Sequence, residues 1–155
     1  MSTYLVVKWL HVVSSTFLFG TGIGSAFYML FASLSRDARI AHFVTRHVVV
    51  ADWIFTSTTV VLQPLTGVWM AHLAGLSLQT PWIFWSIVLY FVAGACWLPV
   101  VWMQLQMREM ARIAVERNAA LPQRYWRFLR VWIALGIPAF LALVIVFWLM
   151  VAKPA

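Results

Sequence analysis

His11, His72, Asp52 and Lys8 interrupt long apolar runs, and these are the side chains whose chemistry most needs explaining. An ionisable group inside a bilayer is costly, so each is a functional candidate. Lys8 and His11 stand three residues apart. At about 100° per residue, His11 shares a helix face with Lys8, Ser15, Leu18, Gly22 and Ser25. Small and hydroxyl residues along one stripe favour close helix packing over lipid contact. His11 is therefore expected to face the bundle interior, roughly 10 Å below the helix end if that helix begins at Tyr4. A neutral imidazole there can ligate haem iron, relay a proton or hydrogen-bond a backbone carbonyl. Lys8 lies close enough to the surface to snorkel.

A second polar stripe holds Asp52, Thr56, Thr59, Gln63 and Thr66, within about an 80° arc by helical arithmetic. The same arithmetic puts His72 on the opposite side with Leu65, Val68 and Trp69. Only a turn at Pro64 would bring both faces to the core. Asp52 is expected to pair with Arg46 or with an arginine of the second charged hairpin, the alternative being a proton-relay role. His42 and His47 fall among arginines at a spacing of five, which does not place them on one face for a joint metal site. Gly20 and Gly24 form a G-x-x-x-G, with Thr16 on the same face, nearly opposite His11. That face suits a close backbone contact with a second helix or a second copy of the chain. No strand precedes it, so it is not a dinucleotide loop. The sequence has no nucleophile–base pair, no H-E-x-x-H and no phosphate loop.

The elements that must position these residues follow from composition. The chain is 64% hydrophobic and 10% charged, too little polar surface for a water-facing globule, and its 16% aromatic content excludes disorder. The single Cys96 rules out an internal disulfide. Apolar runs of about 20 residues cross a bilayer as helices. They lie at about 4–34, 48–74, 81–107 and 126–152, and the first is too long for a secretory leader, so it is expected to be retained. The expected fold is an all-α, integral membrane four-helix bundle, a single transmembrane domain over 1–155.

Spans three and four should extend on the cytoplasmic side, where Glu109, Arg112 and Glu116 can meet on one face and Asn118 to Gln123 forms the turn. Nine of the eleven basic residues (Arg36, Arg39, Arg46, Arg108, Arg112, Arg117, Arg124, Arg127, Arg130) lie in the first and third connections. Positive residues stay in the cytoplasm, so both termini are expected outside, in the periplasm if the source is bacterial. The charge of +7 is thus an orientation signal, with no nucleic-acid partner implied. Trp69, Trp82, Trp85 and Trp148 fit an outer aromatic belt, and Trp53, Trp126 and Trp132 an inner one.

The opening Tyr4-Leu-Val-Val-Lys8-Trp-Leu-His11, with the glycine-rich half-span after it, resembles the start of the HemJ-type protoporphyrinogen oxidases. Pro64 and the run Gly136-Ile-Pro138-Ala-Phe-Leu-Ala-Leu-Val-Ile-Val are also similar to that family. The resemblance covers the whole chain in hydropathy and is residue-specific in span one. It implies a four-helix, haem-b-binding membrane protein of the bacterial inner membrane. His11 would be its axial metal ligand by that resemblance; the shared helix face adds Lys8, Ser15 and Gly22 about the cofactor, and His72 is a further candidate ligand. One departure stands out: the family carries a functional lysine early in span three, and Ser86 occupies that place here. The chain looks closer to an uncharacterised group of bacterial predicted integral membrane proteins related to HemJ.

The leading expectation is a haem-b protein with a redox role beside a quinone or tetrapyrrole. One alternative is a non-catalytic membrane subunit whose arginine hairpin recruits a partner, and another is a small transporter accessory using the Asp52–Gln63 stripe. A homo-oligomer or a complex with another membrane protein is expected in either case.

Overall fold

The computed structural model describes residues 2–154. It contains four long helices, α1 (Thr3–Leu34), α2 (Ala38–Leu73), α3 (Pro81–Glu116) and α4 (Gln123–Ala152), and no strand among the described residues. Each is long and apolar enough to cross a membrane. A helix of 30 residues rises about 45 Å against a hydrocarbon core of about 30 Å, so all four reach beyond it.

The helix of span two begins at Ala38, well before the apolar run near Val48, so it too projects at the arginine-bearing end. The charges of this stretch made it look like a connection. They sit instead on the exposed side of an amphipathic helix whose Ala41, Thr45 and Val48 are buried. Asp37 starts the helix by accepting the backbone N–H groups of Arg39 at 2.7 Å and Ile40 at 3.4 Å, the usual work of an N-cap carboxylate. The first connection is thereby reduced to a tight turn. Arg36 takes a left-handed conformation there (φ 59°), as Asn118 does (φ 47°) in the turn between α3 and α4.

Around these two turns the helices pack closely. Met29, Ala41, Val48, Met103, Met107, Ala111, Tyr125, Leu129 and Trp132 belong to one buried cluster. Alanines at α2–α3 contacts let backbones approach, and methionines fill the irregular gaps. The Tyr125 hydroxyl, fully buried, hydrogen-bonds the Ser33 hydroxyl at 2.8 Å, tying α4 to the end of α1.

The other end, which carries the termini, is built differently. There α1 packs along the second half of α2, and α3 packs along α4, but the two pairs barely approach each other. Phe19 of α1 bridges the gap, stacking on Phe140 with centroids 5.4 Å apart and meeting Phe147 edge-on at 5.1 Å. Pro64 does not break α2. It removes the N–H that would bond the Val60 carbonyl four residues back, and the Tyr90 hydroxyl of α3 donates to that carbonyl at 2.8 Å.

Candidate functional site

Side-chain chemistry concentrates where α1 meets α2. The whole expected stripe of Asp52, Thr56, Thr59, Gln63 and Thr66 is buried. From it, the Gln63 amide N–H₂ donates to the His11 carbonyl at 2.8 Å and to the Ser14 hydroxyl at 2.6 Å. The imidazole Nδ1 of His11 lies 2.8 Å from the Thr66 hydroxyl, which donates its own proton to the Leu62 carbonyl at 2.6 Å. When that proton goes to the Leu62 carbonyl, Thr66 accepts from the ring, which then carries its hydrogen on Nδ1 and its lone pair on Nε2. The ring rests on Gly67, where a Cβ would come within 3.4 Å of His11 Cε1. A close approach of α1 and α2 is what the missing side chain permits.

The residues expected to share the face of His11 separate in space. Lys8 is exposed and Ser15 is half-buried, its hydroxyl returned to the Val12 carbonyl of its own helix at 2.7 Å. Gly22 lies about 16 Å further along α1 by helical rise and borders a cavity described below. His72 is exposed, on the side of α2 away from the buried stripe, because the helix runs through Pro64 without the turn that would bring it inward. Ser86, in the place of the lysine, is buried and bonds the Trp82 carbonyl at 2.6 Å. Gly20 and Gly24 meet open space where a Cβ would stand. Among the described residues no three His, Cys, Asp or Glu side chains converge on a metal position. A haem needs only one or two axial ligands, and the tautomer of His11 suits it to be one.

Asp52 departs from expectation. It has no ion pair among the described residues; its Oδ1 accepts the Thr56 hydroxyl at 2.8 Å, and Gln104 of α3 stands beside it. The reason is local geometry. Residues Asp52–Thr56 form a π-helical turn in which the Ser57 N–H and hydroxyl both reach the Asp52 carbonyl. Such wide turns frequently sit at functional positions. Here it lies at the level where the tight and open ends of the bundle meet.

Above that level lies a cavity of about 520 Å³ between the helix pairs, with Gly22 and Ala26 of α1, Tyr90 and Ala93 of α3, and Gly136 and Phe140 of α4 among its walls. A smaller recess of about 300 Å³ shares Asp52, Trp97 and Gln104 with it. The sequence reading passed over Tyr90 and Gln104. Yet Ser86, Tyr90, Ala93, Trp97 and Gln104 follow core spacing along α3, and polar members of such a row were the available signal. Trp132, expected in an interfacial belt, is instead buried at 7% exposure.

No curated protein and no solved structure matches the chain. Residues 5–154 match the family described as a predicted integral membrane protein, DUF2269. With four helices long and apolar enough to cross a membrane and a match that covers nearly its whole length, the chain belongs to that family.

Proposed function

We propose that the protein is a haem-b-binding membrane protein of the HemJ-like kind, with His11 as an axial ligand through Nε2 and a redox role beside a quinone or tetrapyrrole. The observation that carries this reading is the Leu62–Thr66–His11 chain, which fixes the ring orientation and can hold the tautomer with Nε2 free, as outer partners of metal-bound histidines do. Bound haem would supply one-electron chemistry, and the protein's part is ligation, burial and orientation. Gln63 contributes by holding α1 against α2 at the level of the ring.

The test is the absorption spectrum of detergent-purified protein. The expected result is a Soret band that dithionite shifts, lost in His11→Ala and retained in His72→Ala. Thr66→Val should leave the protein inserted but alter the band, because the ring loses its orienting partner. Wild-type protein expressed well and free of haem would overturn the reading.

The setting we propose is a bacterial inner membrane with both termini periplasmic. A cytoplasm-only reporter active at the C-terminus would contradict that orientation. A homodimer would pack through Gly20 and Gly24, and Leu at both positions should turn dimer into monomer with the His11 network intact.

A further inference from the structure

The cavity of about 520 Å³ has one polar end. Among its lining residues, Asp52 and Gln104 are those nearest the arginine-bearing end on α2 and α3, and Trp132 is the nearest on α4. All three are at least nine-tenths buried. Two of them are incomplete: Gln104 Oε1 and Trp132 Nε1 have no hydrogen-bond partner. Unpaired polar atoms in such surroundings are unfavourable and call for an explanation. The orientation of the Gln104 amide follows from its neighbour, since the N–H₂ side belongs toward the Asp52 carboxyl and the oxygen is left over. The floor therefore offers more acceptors (Gln104 Oε1 and Asp52) than donors (Trp132 Nε1). Everything else about the space is apolar, small or aromatic, and its volume falls in the range of about 300–1,000 Å³ typical of small-molecule sites.

We infer that this cavity binds an uncharged, lipid-soluble molecule that carries a hydroxyl on an apolar body, with the hydroxyl seated on Gln104 and Trp132. Both orphaned atoms are closed to the cavity as the side chains stand, and a hydroxyl, which both donates and accepts, completes both once Gln104 and Trp132 turn toward it. The apolar body then lies along Gly22, Gly136 and Phe140, where the missing side chains leave room. An anionic head is disfavoured by Asp52, and a head that only accepts leaves Gln104 unpaired. The site is separate from His11, which does not border the cavity, and stands or falls independently of haem.

The experiment uses the full chain in phosphatidylcholine nanodiscs with two photoreactive probes, a 4-alkylphenol bearing a diazirine in its tail and the methyl ether of the same phenol. The phenol should label the Gly22–Ala26 and Gly136–Phe140 segments saturably, at least about tenfold more than the ether, the discrimination of one hydrogen bond to a buried group. Gln104→Met should abolish the preference for phenol over ether, since only the phenol can donate. Trp132→Phe should lower labelling by both. Helix content and monodispersity of each variant report its folding, and Trp132→Phe, which keeps an aromatic ring and removes the indole N–H, carries the test should Gln104→Met fail to fold. Equal labelling by the two probes, or phenol labelling that spreads over the lipid-facing surface, would overturn the proposal. The cavity would then be filled by acyl chains and its floor satisfied by water.

Discussion

The two ends of this bundle are held together by different means. At the arginine-bearing end, all four helices contribute to one core of alanines, methionines and aromatics around Met107 and Tyr125, both fully buried. At the terminal end, α1 is tied to α2 by Gln63, Ser14, His11 and Thr66, and the other helix pair stands off across a cavity. Lipid tails are as apolar as leucine, so within the bilayer the hydrophobic effect does not press helices together. Packing and polar ties must do it, and where they are few a gap persists. The difference teaches that packing and polar chemistry are unevenly divided in this molecule: the packed end fixes the helices, the looser end holds the His11–Thr66 network, and Asp52, Gln104 and Trp132 lie at the level between them.

The sharpest way to break that contrast is to change volume at both ends. Met107→Ala should lower unfolding stability in detergent by about 2–5 kcal/mol, because it opens a hole in a packed core. Ala93→Leu, which adds atoms to a wall of the cavity, should cost less than the overpacking of a filled core, about 1–3 kcal/mol, because the added side chain has open space to enter. Similar losses in both would show that the terminal end is as tightly packed as the other.

Polar ties come next. Gln63→Leu removes two bonds between α1 and α2, and each interhelical bond in a membrane is worth about 0.6 to 1.7 kcal/mol. Faster hydrogen exchange should follow at the terminal end of α1 and leave the amides around Ala111 unchanged. Equal acceleration at both ends would mean that the two unfold as one unit.

A smaller effect tests the Tyr90–Val60 bond, the direct hydrogen bond from α3 to the second half of α2. Tyr90→Phe should cost about 1 kcal/mol in the wild-type background, as for a bond within the membrane. In a Pro64→Ala background the cost should nearly vanish, because residue 64 then supplies the N–H that Val60 needs. Additive effects would show that the Val60 carbonyl is not what couples them.

The smallest effect is expected at the surface of the helix extension. Arg112 pairs with both Glu109 and Glu116 and holds the Glu109 carboxyl below its usual range. The folded value lies below the unfolded one, so any contribution is present above the ordinary glutamate range and fades as pH falls through the folded value. The pair is exposed, so the loss should be barely measurable in an acid titration of the unfolding midpoint. It should disappear in about 1 M salt, where screening acts within about 3 Å. Glu109→Gln should abolish it.

Much of the fold was readable from the chain. Four apolar runs predicted four helices, and the Asp52-to-Thr66 stripe, derived from angles alone, is buried throughout. Periodicity fails where a residue's partner lies on another helix. Nothing near Asp52 in sequence says that Gln104 would stand beside it, and nothing near Pro64 names Tyr90 as the donor to Val60. The start of α2 was misplaced because charge was weighed and its arrangement around the helix was not. His11 was correctly placed on an inward face, but the other residues of that face proved to be strung along α1 instead of gathered about one point. A helical stripe specifies direction around an axis and leaves depth along it free.

The wide turn at Asp52–Thr56 also sets the phase of α2. It absorbs one residue, so the side-chain rows that follow stand about 100° behind where an unbroken α-helix would put them. The same helix packs against α1 and α3 before that point and mainly along α1 after it. One extra residue thus lets a single rod change neighbours midway through the bilayer. Loss of a single codon between Ala51 and Ser57 would therefore close the turn into ordinary α-helix and leave the Thr59–Gln63–Thr66 row in register with Ser14 and His11. The His11 network, which contains no residue of that turn, would survive that deletion, and one further residue that no wide turn absorbs would break it through rotation of about 100° alone.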